Sequence, residues 1–320
     1  MRNDLFNDIR DDTGFARKIR RIFLFIMLLM ALDFGVSVIL EKGIDRFYGI
    51  DSDAEVLMIG HSHLMLAVDK ILLEERLGAR VAKYTREGVN VADRYTMLEH
   101  YFSGASNHCK LVVYGIDPWL FTGEGLSANS YKLFYPFMDN ADVDAYVRLH
   151  AANAFDYYSH KWFRSSRFNV TLINASLRGY LGNWSNLKFG QLDTLQLQKE
   201  LSRGEYRRIG FEKENIAVFR KTLALLGQSG RTVILLNTPV SGLLTKAVSK
   251  DYNKALSMIL EMAKPYPNIH VVDFSPDFGD DSRLFFDPIH MNPEGQKKIT
   301  QAFSAVAESL MVRQFINETQ

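Results

Sequence analysis

Residues 54–60 read AEVLMIG and run directly into His61-Ser62-His63-Leu64. A short apolar run that stops at a glycine is a candidate buried strand, and its length argues against a helix. The same kind of unit recurs as VAKY at 81–84, KLVVYGID at 110–117, RTVILLN at 231–237 and IHVVDF at 269–274. Between and after these runs, residues 65–77, 91–102, 215–226, 252–263 and 293–312 carry helical spacing of apolar side chains. Continuous apolar strands alternating with helices predict a mainly parallel sheet covered on both faces. The fold class is therefore a doubly wound α/β domain, spanning residues 45–320. In such sheets the site lies beyond the C-terminal ends of the strands.

Residues of about 120–210 break the alternation. They are rich in aromatics, Asn and Ser, as in YKLFYPFMDN and FDYYSHKWFRSSRFN, and read as a partly helical insertion between two core strands. Loops at that edge often shape a substrate site; a stabilising cap with no ligand role is the plainer alternative. Sequons occur at Asn169, Asn174, Asn183 and Asn317 and matter only in a glycosylating compartment.

At the other end of the chain, residues 22–40 read IFLFIMLLMALDFGVSVIL, 19 residues with one charge, Asp33. A membrane-spanning helix needs about 20 mostly apolar residues. Arg17, Lys18, Arg20 and Arg21 precede the run and a mixed segment follows it, so the positive-inside bias places residues 1–21 in the cytoplasm and the domain outside it. The run exceeds the roughly 7–15 residues of a signal-peptide core and no A-x-A-like site follows, which favours an uncleaved single-pass anchor. A carboxylate at that depth is costly. It implies either contact with a partner membrane protein or, the preferred reading, a group protonated or close enough to the headgroups to be tolerated.

Composition narrows the rest. Lys+Arg totals 38 against 37 Asp+Glu, so no charge excess points to nucleic acid. The single cysteine, Cys109, excludes an intramolecular disulfide, and the fold rests on its core.

Three places follow strands and carry chemistry. Ser62 sits on the turn after the first strand, where its hydroxyl would be exposed at the sheet edge; its bland reading is a helix N-cap. Asp287-Pro288-Ile289-His290 lies on a loop entering the last helix, so that His290 can accept a serine proton while Asp287 fixes its tautomer; the bland reading is a turn-forming Asp-Pro. Gly88 and Gly115-Ile116-Asp117 should share the same edge. His61 and His63 flank the serine, but no Cys, Asp or Glu cluster lies near them in sequence and zinc sites usually need three or four ligands, so no metal is expected. His63 is expected to line the substrate site.

In this order, each at a strand end, these blocks resemble the SGNH/GDSL hydrolase superfamily, over about residues 54–117 and 231–312. Gly60-His61-Ser62 resembles the first block, with His61 where the family has Asp; Gly88 the second; Gly115-Ile116-Asp117 the third; Asp287-Pro288-Ile289-His290 the last. The resemblance implies a flavodoxin-like sheet and a Ser62–His290–Asp287 relay with no cofactor. It implies an oxyanion site drawing on Gly88 and the third block, where Asp117 replaces the family's Asn. Asp117 would serve only if protonated, or would turn away and leave the donation to another group such as Asn90. An anchored SGNH-like domain further resembles bacterial proteins that acylate cell-envelope polymers. That implies an acylated glycan or envelope polymer as substrate and a multi-span membrane acyltransferase as partner. An inactive SGNH-fold module that binds glycan or scaffolds such a complex is the alternative.

Overall fold

The computed structural model describes residues 4–50, 52–104, 108–123 and 129–318, with side chains from 14 to 312 within them; the side chain of the Asn317 sequon and the first residues of the 1–21 tail fall outside that set. Helix α1 (Asp4–Tyr48) leads into β1 (Val56–Gly60), α2 (Ser62–Ala67), α3 (Lys70–Leu77), β2 (Val81–Thr85), α4 (Val91–Ser103) and β3 (Leu111–Ile116). The insertion follows, with a 3₁₀ helix at Ser130–Phe137, α5 (Ala141–His150), α6 (Ala154–Trp162), a 3₁₀ turn at Arg164–Arg167, α7 (Val170–Leu181) and α8 (Thr194–Ser202). Core alternation resumes with α9 (Lys213–Gly227), β4 (Thr232–Asn237), α10 (Gly242–Ala247), α11 (Ser249–Ala263), β5 (Ile269–Asp273) and α12 (Ser275–Phe278). A small hairpin of β6 (Phe285–Asp287) and β7 (His290–Met291) precedes α13 (Pro293–Glu318).

The five main strands pair in parallel in the order β2-β1-β3-β4-β5. Alternate side chains of each strand enter different cores, as the twofold strand period requires. Leu57, Ile59, Val112, Tyr114, Val233 and Leu235 face one cluster with α4, α9 and α11. Val56, Met58, Leu111, Val113, Ile234 and Leu236 face another with α2, α3 and α13. The sheet is doubly wound, as the apolar runs imply.

One expectation needs correction. Residues 65–77 are not one helix. Asp69 interrupts them by capping α3, its Oδ1 accepting from Leu72 N at 2.8 Å; a capping carboxylate starts a new helix where the apolar spacing alone continues the old one. Helix α1 extends well past the apolar run of residues 22–40. It runs to Tyr48, burying Ile44 and Tyr48 in the first core, and it packs along α7. Among the described residues it is the one helix long and apolar enough to cross a membrane. Asp33 is held within its own chain: its carboxylate accepts from Arg164 N at 2.8 Å, Ser165 N at 2.9 Å and Ser165 Oγ at 2.5 Å, capping the Arg164–Arg167 turn.

The α1–α7 crossing depends on two small residues. A Cβ at Gly179 would run into the Gly43 carbonyl, and one at Gly43 into Ser176. Gly179→Val is therefore expected to destabilise the chain by about 1–3 kcal/mol, the usual range for overpacking, and to expose α7 to limited proteolysis. An unchanged melting temperature and cleavage pattern would contradict this packing.

Candidate active site

The first half of the site hangs from the C-terminal edge of the main sheet. Ser62 follows β1 by two residues and is the first residue of α2. The N-cap is His61 instead, whose Nδ1 accepts from His63 N at 3.1 Å, so the bland reading of Ser62 as a cap does not apply. Helix α2 lies close against the strand ends because Gly60 and Gly115 lack side chains; a Cβ on Gly60 would sit 2.9 Å from Leu64 and one on Gly115 3.1 Å from it. From β2, Lys83 Nζ donates to Met65 O at 2.8 Å and Val68 O at 2.5 Å. From α13, Gln296 Nε2 donates to Leu66 O at 3.0 Å. A helix of six residues cannot hold itself in water; these contacts hold it.

The second half of the site is the β6–β7 hairpin. Asp287 Oδ1 accepts from Ile289 N and His290 N, both at 3.0 Å, and Oδ2 lies 2.7 Å from His290 Nδ1. The loop is tied down by Ser241 N donating to Pro288 O at 2.9 Å and by Asn292, whose Nδ2 donates to Arg283 O at 2.7 Å while its Oδ1 accepts from Gly295 N at 3.0 Å. Burial alone would raise the Asp287 pKa. The hydrogen bond and charge of His290 and the two amides outweigh it and hold the carboxyl below its ordinary value. A carboxylate on Nδ1 selects the tautomer that carries its proton there and leaves Nε2 to accept. His290 Nε2 lies 2.9 Å from Ser62 Oγ. Ser62, His290 and Asp287, separated by up to 228 positions, thus form one hydrogen-bonded line able to take a proton from a serine that attacks a carbonyl.

The third-block position behaves differently from a side-chain amide donor. Asp117 is buried; its Oδ2 lies 2.7 Å from His61 Nε2, and its Oδ1 accepts from Trp119 N at 2.8 Å. Burial would raise its pKa, but His61, His63 and Arg94 together hold it well below the carboxylate range. Both carboxylate oxygens are engaged, on His61 and on the Trp119 amide, which favours the turned-away reading over the protonated one. His61 and Asp117 thus form one buried pair that joins the end of β1 to the end of β3.

Gly88 has φ +77°, which glycine adopts without strain, in the turn after β2 and beside the end of β1. Asn90 is the N-cap of α4 in a reciprocal capping box: Oδ1 accepts from Asp93 N at 2.9 Å and Asn90 N donates to Asp93 Oδ2 at 2.7 Å. His63 is buried, its ring centroid 4.3 Å from that of His61 and 5.4 Å from that of His290, and its Nδ1 has no hydrogen-bond partner among the described residues. It stands beside the relay.

The reason given for expecting no metal also needs correction, since the fold supplies the missing carboxylate. Ligand atoms of His61, His63 and Asp117 lie within 4.8 Å of one another. Both nitrogens of His61 are engaged, however, one on Asp117 and one on the His63 amide. The trio is a hydrogen-bonded pair beside a neutral imidazole and does not offer three free ligand atoms.

One residue escaped the sequence entirely. Arg94 is buried within α4, with Nη1 donating to Gly115 O at 2.7 Å and Nε to Asn90 O at 3.2 Å. It links the second and third blocks. An arginine at helical spacing ordinarily reads as solvent-exposed, and nothing local marks this one.

No family model matches the sequence, and no curated protein matches it. Among solved structures the chain is similar to an alpha/beta hydrolase enzyme from the metagenome of Lake Arreo, Spain, at 14 % identity over 81 % of this chain and 96 % of that one, TM-score 0.42. It is similar to a protein assigned as a platelet activating factor from Streptococcus pneumonia, at 11 % identity over 88 % and 98 %, TM-score 0.41. A third is a protein assigned to the G-D-S-L family of lipolytic proteins from Desulfitobacterium hafniense DCB-2, at 12 % identity over 78 % and 98 %, TM-score 0.34. At these values the likeness says nothing of substrate or activity.

Asp117→Asn should weaken the bonds to His61 and Trp119 and lower stability by about 1.5–3 kcal/mol, as for hydrogen bonds to a charged group, without raising ester turnover. Higher turnover would place that side chain at the oxyanion instead. Burial, with neighbouring charges, holds the pKa values of His61 and His63 below the ordinary imidazole value. Below pH of about 6.5 the unfolded chain then binds more protons at these positions than the folded one, so they make stability fall as pH drops through that range. Denaturant titrations of the native chain and of His63→Gln at pH 7.5 and 5.5 check this; an equal loss in both would exclude His63 as a contributor.

Proposed function

We propose that this chain, whose α/β fold is SGNH/GDSL hydrolase-like, is a serine-dependent acyl-transfer enzyme of the cell envelope. One observation carries the reading: the continuous line from Asp287 through His290 to Ser62 at 2.7 and 2.9 Å. Ser62 Oγ attacks the carbonyl carbon of an acyl donor while its proton passes to His290 Nε2. The tetrahedral oxyanion collapses, the leaving alkoxide takes the proton from His290, and the acyl group remains as an ester on Ser62. In the second half a hydroxyl gives its proton to His290, attacks the acyl carbon and releases Ser62. Water as the hydroxyl makes the protein an esterase; a hydroxyl of a glycan or envelope polymer makes it an O-acyltransferase. Asp287 stabilises the imidazolium in both halves.

The oxyanion donors are the backbone amides of Ser62 and Gly88, at the ends of neighbouring strands, with Asn90 Nδ2 as the remaining side-chain candidate. The engagement of both Asp117 oxygens, on His61 and on the Trp119 amide, argues against that role for it. His63 lines the site next to the acceptor. The chemistry needs no cofactor.

The apolar run and its basic flank support a single-pass position in the cell membrane, with residues 1–21 cytoplasmic and the domain on the periplasmic or extracellular side. A multi-span acyltransferase that delivers acyl groups across the membrane is the partner this topology suits. One observation favours a second reading: without an Asn amide at the third block, the domain would bind glycan or scaffold such a complex without turning over.

Hydrolysis of short acyl esters and transfer to oligosaccharide acceptors by the purified full chain separate the readings. Ser62→Ala and His290→Ala are expected to fall to background, and Asp287→Asn to lose about 10⁴ in kcat through the wrong tautomer. Turnover that survives Ser62→Ala would overturn the enzyme reading, and glycan binding without turnover in a folded chain would establish the module.

A further inference from the structure

The apolar run of α1 overlaps the domain rather than ending where the domain begins. Asp33 lies seven residues before Leu40, about 10 Å along a helix that rises ~1.5 Å per residue. At that height the insertion is already attached, because Asp33 holds the amides of Arg164 and Ser165 and the Arg164 guanidinium lies 5.0 Å over the Phe34 ring. The side chains just before this attachment are apolar and uncovered, with Trp162 72 % and Phe163 63 % exposed.

Helix α7 continues the pattern. Its Leu172, Ala175, Ser176 and Gly179 are buried, and this side packs on α1. A second stripe of Val170, Ile173, Leu177 and Leu181 is exposed, Val170 by 83 % and Leu181 by 80 %. Thr171, Asn174 and Arg178 form a third, polar face. A helix apolar on two of three faces is not stable with one of them in water, and a patch of this kind marks an interaction site.

We propose that the exposed stripe of α7, with Trp162 and Phe163, lies in the headgroup–acyl boundary of the bilayer that α1 crosses. The occupant is lipid. The stripe belongs to a helix that meets α1 at Ile39 and Gly43, where the apolar run of α1 ends at Leu40, and Phe163 directly precedes the Arg164 that lies over Phe34. A polar face beside an apolar one suits a helix lying in the interface plane, where such helices sink about 5–10 Å. Trp and Tyr favour that depth. The domain is then held against the membrane at two places, and Asp33 serves to lock the second to the first. This inference rests on α1 crossing a bilayer.

The full chain, reconstituted in vesicles of phosphatidylcholine and phosphatidylglycerol, carries one environment-sensitive fluorophore at Leu28→Cys, Phe163→Cys, Leu177→Cys or Lys246→Cys; the native Cys109 is buried. Spin-labelled lipid is expected to quench positions 28, 163 and 177, and aqueous iodide to quench 246 several-fold more than those three. In the unlabelled chain, brominated lipid should quench part of the tryptophan emission, and Trp162→Phe should remove that part. Iodide reaching 163 and 177 as it reaches 246, with 28 still in lipid, overturns the proposal and leaves the anchor intact. Iodide reaching 28 as well overturns the anchor itself.

Discussion

Four of the five parallel strands, β1 to β4, are buried on both faces and leave only their ends in contact with anything but protein, and the placement of the candidate site follows from that constraint. Side chains along β1, β3 and β4 are committed to the two cores, so polar groups collect past the last strand residue, where the backbone turns into a helix. Ser62, Gly88 and Asp117 are each placed by the end of one strand. The hairpin carrying Asp287 and His290 is brought back over the same edge by α13, whose Gln296 also holds α2. Removing the apolar continuity of a central strand would disperse all of them.

What could be read before the structure is what is encoded locally. The strands were visible as apolar runs because both faces of a parallel sheet are buried. Ser62, His290 and Asp287 were visible because each sits at a strand or hairpin end with a characteristic spacing. What escaped is encoded by partners far away in sequence. Asp33 looked like an isolated intramembrane charge because its cap lies 131 residues on. Asp117 looked like a doubtful oxyanion donor because the imidazole it binds is 56 residues back. The break at Asp69 is the instructive local miss: a helix-capping residue was present, and the apolar spacing on either side of it overrode the signal.

The pairing of His61 with Asp117 is physically coherent. A charged Asp117 at an oxyanion would oppose catalysis. Bound to His61 Nε2 and to the Trp119 amide it does not face the reacting carbonyl, and His61 in turn orders the His63 amide at the start of α2. The pair fixes the turn that presents Ser62, which accords with the proposal that backbone amides stabilise the oxyanion. The insertion has a comparable double role, since α7 packs on the anchor helix with one face while another remains open.

Peptide mapping by mass spectrometry after treating the full chain with a fluorophosphonate tests the central claim, that Ser62 is a nucleophile activated by His290, most directly. The account predicts one phosphonyl group on Ser62, formed far more slowly in His290→Ala. A folded chain that stays unmodified at Ser62, or one modified equally fast without His290, would contradict it.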